Sequence, residues 1–149
     1  MTNGISVKKR NGRGVEPLDL EKIHNMVEEA CKDVTGVSAS QVEIQSGIQF
    51  YDGISTAEIQ EILIKSASDL ITLDNPNYQF VAARLLLFAT RKSLYGRSRD
   101  LPHLETHIMN CTNIDVYDKE IFGKYSKEEI DKANSFVDHE RDFLFTYAG

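Results

Sequence analysis

The sequence predicts a mainly α-helical chain opened by a short β-hairpin. Three observations carry that reading. Apolar residues recur at helical spacing through most of the first 96 positions, serine–glutamate pairs mark helix starts, and a brief alternating stretch broken by glycines precedes the first helix. At 149 residues the chain is long enough to bury a core.

Ile5 and Val7 alternate with polar neighbours, Asn11-Gly12-Arg13-Gly14 supplies turn residues, and Val15 resumes before Pro17, which together spell a hairpin. Asp19 is a good N-cap for a helix through Leu20, Ile23, Val27, Ala30 and Cys31, with Gly36 as its expected end. Ser40-Gln41-Val42-Glu43 has capping-box form and is expected to sit at or near the start of a second helix with Val42, Ile44 and Ile48 as its apolar residues. After Tyr51-Asp52-Gly53, Ser55 and Glu58 form another capping box, ahead of Ile59, Ile62, Leu63, Ala67, Leu70 and Ile71. Asn75-Pro76 predicts a fourth helix start, and Tyr78, Val81, Ala82, Leu85, Leu86 and Ala89 continue one face to Gly96. Arg91 and Lys92 fall in its last turn, where cations favour the negative end of the helix dipole.

Arg97-Ser98-Arg99-Asp100 reads as a linker, dividing the chain into residues 1–96 and 97–149. Beyond it, Pro102 precedes a helix through Leu104 and Ile108, and Ser126 with Glu129 caps another through Ile130, Ala133, Phe136 and Val137. The closing Asp142-Phe143-Leu144-Phe145-Thr146-Tyr147 is apolar for a terminus, which suits a chain that continues into, or docks onto, another part.

Composition narrows the function classes. The apolar runs are too short for a bilayer, so no membrane partner is expected. Met1 to Lys9 lacks the apolar core of a secretory leader, so a reducing cytoplasm is the expected location, and the distant Cys31 and Cys111 fit that expectation. Cys31 lies on an apolar helical stripe and is read as core. A net charge of −6 argues against nucleic acid as a partner. Yet Lys8, Lys9, Arg10, Arg13 and Lys22 crowd the first 24 residues, a cationic end suited to a small polyanion.

The hairpin turn, Lys22 and the N-terminus of the first helix form a group suited to a triphosphate. Glu16 and Asp19 flank it as acceptors able to receive the exocyclic amine of adenine, and Val7, Leu18, Ile23 and Ile59 could sandwich a base. The same residues also read as a solvated basic edge with capping carboxylates. His103 and His107 stand at i, i+4, but without a third ligand they do not predict zinc. GxSxG, HExxH, Walker A and GxGxxG strings are absent, and no nucleophile–base pair is evident.

The chain resembles the ATP-cone that begins many class I ribonucleotide reductase large subunits. Val7-Lys8-Lys9-Arg10-Asn11-Gly12 looks like the family's opening strand and turn, Leu20-Glu21-Lys22-Ile23 like its first helix, and Phe50 to Thr56 like its loop before the third. Pro76 to Leu85 with Arg91-Lys92 and Tyr95-Gly96 is similar to the fourth helix, and Asp138-His139-Glu140-Arg141-Asp142 to the passage from cone to barrel. The resemblance implies a four-helix cone capped by a small β-sheet over residues 1–96, then the first helices of the reductase's N-terminal helical region over 97–149. It implies ATP as activator and dATP as inhibitor, with Mg2+, no redox cofactor in this chain, and control of overall activity through subunit assembly. Phosphates would contact Lys9, Arg10 and Lys92; Glu16 and Asp19 would face the adenine; Lys22 and Thr56 would line the site; Val7, Leu18, Ile23, Ile59 and Phe88 would wall it. Gln60, also at the site, stands where well-known members have histidine, Ala89 replaces another histidine, and Asp19 replaces a common asparagine. Implied partners are the remainder of the large subunit, the radical-generating small subunit and further copies of the chain. The catalytic barrel lies outside this sequence, so no catalysis is expected of the chain alone. A repressor of the same cone type would need a zinc ribbon, and no CxxC occurs. A nucleotide-independent helical module, or a vestigial cone that only docks onto the catalytic part, is the alternative.

Overall fold

A computed structural model describes residues 4–149. Met1 to Asn3, part of the stretch read above for a leader, lie outside the described residues. Strand β1 (Ser6–Lys8) is central in a three-stranded sheet, antiparallel to β2 (Val15–Pro17) and parallel to β3 (Ile54–Ser55). The register sets Val7 opposite Glu16 on one side and Ile54 on the other, so that Val7 and Ile54 bury while Lys8 stays exposed. A 3-10 turn, Arg10–Gly12, closes the hairpin, with the Lys9 N–H donating to the Gly14 carbonyl at 2.9 Å. Gly12 and Gly14 sit at φ 66° and 104°, a region costly for side-chain-bearing residues. At two residues, Ile54–Ser55 is too short to show the alternation that marks a strand in sequence. Asp52 fixes it by accepting from the Ser6 N–H (2.7 Å) and hydroxyl (2.6 Å).

Four helices pack beneath the sheet: α1 (Leu20–Cys31), α2 (Ala39–Gly47), α3 (Thr56–Asp69) and α4 (Tyr78–Tyr95). Val27, Val42, Leu63 and Val81, one from each, are fully buried where they meet. Asp19 caps α1, accepting from Glu21 and Lys22 N–H groups, and Ser55 with Glu58 forms the reciprocal capping box of α3. Gly96 ends α4 in the left-handed conformation at φ 73°.

Several boundaries differ from expectation. Helix α1 stops at Cys31, and Gly36 (φ 74°) serves the following loop instead. Helix α2 is capped at Ser38 without a side-chain bond, leaving Ser40 inside the first turn. Val42 and Ser46 face inward one turn apart, so Ile44, about 200° round from Val42, and Ile48 are 68% and 82% exposed rather than buried. Helix α4 begins two residues after Pro76, because Pro76 and Asn77 form a turn whose carbonyls accept from the Gln79 and Phe80 N–H groups.

After Gly96, α5 (Leu104–Asn113) packs on α7 (Lys127–Asn134), burying Ile108 and Ile130. Ser126 and Glu129 form the expected capping box, while the short α6 (Ile121–Lys124) was not anticipated. A closing 3-10 segment, His139–Leu144, lies against α4. No helix among the described residues is long and apolar enough to cross a membrane.

The α3 cap has a testable pH signature. Hydrogen bonds from the Ser55 hydroxyl, the Tyr51 hydroxyl and the Ser55 N–H hold the Glu58 carboxyl at about 2, against 4.5 ordinarily. A folded-state pKa below the unfolded one stabilises above the unfolded value and is lost as pH falls through the folded value. Thermal melts of wild type are therefore expected to lose stability from pH 4.5 towards 2, and Glu58→Gln should flatten that part of the profile. An unchanged profile would refute this assignment.

Candidate functional site

The hairpin turn, the start of α1 and the first turns of α3 converge at one end of the bundle, and their side chains are already paired. The Lys9 ammonium lies 2.7 Å from a Glu16 carboxylate oxygen across the hairpin. Arg10 reaches to α3, donating from Nη2 to the Gln60 side-chain carbonyl at 2.6 Å. Gln60, 7% exposed, thus holds the guanidinium in place. Lys22 lies 3.4 Å from Asp19 one helical turn earlier.

The electrostatics follow from these pairings. Hydrogen bonding to Lys9 is the largest influence holding the Glu16 carboxyl below its usual range, with the Lys9 and Lys22 charges adding to it. Asp19 is lowered chiefly by the Lys22 N–H of its own cap. Both carboxylates are therefore ionised acceptors near neutral pH, interleaved with three cations.

An open concavity of about 530 Å³ runs along β2 and the start of α1, lined by Glu16, Pro17, Leu18, Asp19, Leu20 and Lys22. Four of the expected residues share its wall. Val7, Ile23 and Ile59 lie in the core, and Leu18 is partly buried against them. Thr56 is half-buried at the first position of α3.

The two expected residues of α4 stand differently. Phe88 is buried in the same core cluster, with its ring edge on Phe143 at a centroid distance of 6.1 Å. Lys92 is exposed in the last turn of α4 and makes no ion pair among the described residues. Neither is joined to the hairpin by a hydrogen bond or an ion pair there. Arg91, read above beside Lys92 for its favourable position near the helix end, is buried and donates to Asp142 at 2.7 Å. The sequence held no local signal for that pairing, since the partners are 51 residues apart.

The remaining candidates for chemistry are occupied structurally. His107 lies between Tyr95 and Tyr117, both edge-on, while His103 caps α5 by accepting from the Glu105 N–H. His103, Glu105 and Asp131 cluster, but the Lys127 ammonium already spans both carboxylates at 3.1 and 3.6 Å. Cys31 is half-buried against the core rather than fully enclosed, and desolvation pushes its thiol up to about 11, which makes it unreactive.

Comparison with known proteins fits this architecture. The ATP cone domain family matches residues 5–93. The ribonucleoside-diphosphate reductase subunit alpha of Buchnera aphidicola subsp. Schizaphis graminum is 45% identical over 148 residues, covering 99% of this chain and 19% of the relative. The corresponding subunit 1 alpha of Escherichia coli is 43% identical over the same share of each, and that of Enterobacteria phage T4 40% identical over 97% of this chain and 19% of its own length. The chain thus spans about a fifth of the length of these relatives. A family match across most of the chain, on a helical bundle with a small sheet at its cationic end, makes this chain a member of the ATP-cone domain family.

Proposed function

We propose that the hairpin end of this cone binds ATP or dATP and so acts as the allosteric portion of a ribonucleoside-diphosphate reductase large subunit, with ATP as activator and dATP as inhibitor. One observation carries the reading: Lys9 and Arg10 are held at the hairpin end of the bundle by Glu16 and Gln60, anionic and neutral partners that a triphosphate can replace. The donor set fits the ligand. Lys9 and Arg10, with Lys92, take the phosphates, and Mg2+ accompanies them to offset remaining charge. Glu16 and Asp19 accept from the adenine amine, Lys22, Thr56 and Gln60 line the site, and Val7, Leu18, Ile23, Ile59 and Phe88 form its apolar walls.

Allostery then requires that nucleotide bind two arrangements of the subunit with different affinity. The cone occupies residues 1–96, and residues 97–149 lead towards the rest of the large subunit. Overall activity is set through assembly with that remainder, with the radical-generating small subunit and with further copies, in the cytoplasm where deoxyribonucleotides are made for DNA replication. Reduction itself belongs to the remainder, and the chain alone turns over no ribonucleotide.

Base recognition provides the test. Guanine presents a carbonyl where adenine presents an amine, and an acceptor facing ionised Glu16 or Asp19 is disfavoured. Calorimetric titration should show ATP and dATP binding at least about ten-fold more tightly than GTP, a difference of roughly 1.4 kcal/mol. Equal affinity for all three would contradict the assigned role of the carboxylates, and no heat with any would contradict nucleotide binding. A second reading, a nucleotide-independent docking module, is favoured by exposed Ile44 and Ile48 on α2; it predicts that charge reversal at Lys9 and Arg10 leaves reductase assembly intact.

A further inference from the structure

Helix α4 carries Arg84, Phe88 and Arg91 at i, i+4 and i+7, a spacing that lines them along one face. That face meets the closing 3-10 segment. Phe143 inserts there, with the Arg84 guanidinium 5.2 Å and the Arg91 guanidinium 5.6 Å from its ring centroid, and the Phe88 ring meeting it edge-on at 76°. Arg91 is 8% exposed and ties separate segments together. It donates to the Asp142 carboxylate at 2.7 Å, the His139 carbonyl at 3.2 Å and the Ser98 carbonyl of the linker at 3.4 Å. Arg84 in turn donates to the Ala30 and Lys32 carbonyls at the end of α1.

We infer that Arg84, Phe88, Arg91, Asp142 and Phe143 form a clasp that transmits the state of the nucleotide site to the segment following the cone. The inference rests on the nucleotide reading proposed above, and Phe88 is the shared part. With Lys92 one turn further along α4, Phe88 belongs to the proposed nucleotide wall, while its ring edge also supports Phe143. A ligand that shifts Phe88 or the last turns of α4 therefore changes the seat of Phe143 and the alignment of Arg91 with Asp142. The device is discrete: the aromatic ring is either seated against the two guanidiniums or away from them, and leaving uncovers a buried arginine. Coupling of this kind is reciprocal, so whatever ATP does to the clasp, the clasp does to ATP affinity by the same factor.

Hydrogen exchange and calorimetry on the 149-residue chain test this together. In wild type, saturating ATP should change exchange of amides 139–145 by about five-fold or more. Phe143→Ala and Asp142→Asn should change ATP affinity by a comparable factor, with opposite sense to the protection: if ATP protects the segment, the variants bind ATP more weakly, and if ATP exposes it, more tightly. Asp142→Asn keeps the side-chain shape and carries the test should Phe143→Ala fail to fold. Hairpin-dependent ATP binding with unchanged exchange at 139–145 and unchanged variant affinities overturns the clasp and leaves the nucleotide reading standing. Mismatched senses overturn it equally. Absence of ATP binding to wild type overturns both.

Discussion

Replacing Lys9 and Arg10 together by alanine is expected to weaken ATP binding about a hundred-fold while leaving the helical content unchanged. Hydrogen bonds to charged groups contribute about 1.5–3 kcal/mol each when made. Part of that is offset here, because Lys9 must first leave Glu16 and Arg10 must leave Gln60. A net factor of about ten from each cation remains, equal to roughly 1.4 kcal/mol apiece. The fold should tolerate the change, since the Lys9–Glu16 pair is partly exposed and pairs of that kind contribute little. Gln60 loses its partner, and its small residual exposure lets water take the place of the guanidinium. Calorimetric titration with circular dichroism as the folding control reads both quantities, and retained affinity in a folded variant would move the phosphates elsewhere.

Leu63→Ala should have the largest effect on stability, about 2–5 kcal/mol. The side chain is wholly buried on α3, whose packing against α4 dominates the bundle. Deleting its methyl groups removes apolar burial and leaves a cavity that two facing helices cannot collapse into without disturbing Ile59 and Ala67 on the same stripe. Domain stability is typically only about 5–15 kcal/mol, so the urea midpoint should fall by a large fraction. A shift within experimental error would mean that α3 and α4 are not the structural centre of the fold.

The bundle was legible in the sequence where signals are local. The caps at Asp19, Ser55 and Ser126, the left-handed Gly96 and the apolar stripes of α1, α3 and α4 all depend on residues within one or two turns of each other. Helix α2 was ambiguous because Ile44 and Ile48 share one face and Val42 lies on the opposite one, so that either face could be buried, and only packing decides which. The parallel strand β3 lacked a periodic signal altogether. At the candidate site, the hairpin cations and the flanking carboxylates could be read from charge and turn chemistry, but their pairing could not. Gln60 as the partner of Arg10 and Asp142 as the partner of Arg91 are separated in sequence by 50 and 51 residues, and each depends on how α3 or the closing segment is laid against its neighbour.

The location of the nucleotide is the central claim, and an amide NMR titration of the chain with ATP tests it most directly. The account predicts saturable shifts concentrated in residues 6–23 and 54–60, with a second group near the end of α4 around Phe88 and Lys92. Shifts confined to α2 or to the α5–α7 pair, or no saturable shifts in a folded chain, would contradict it.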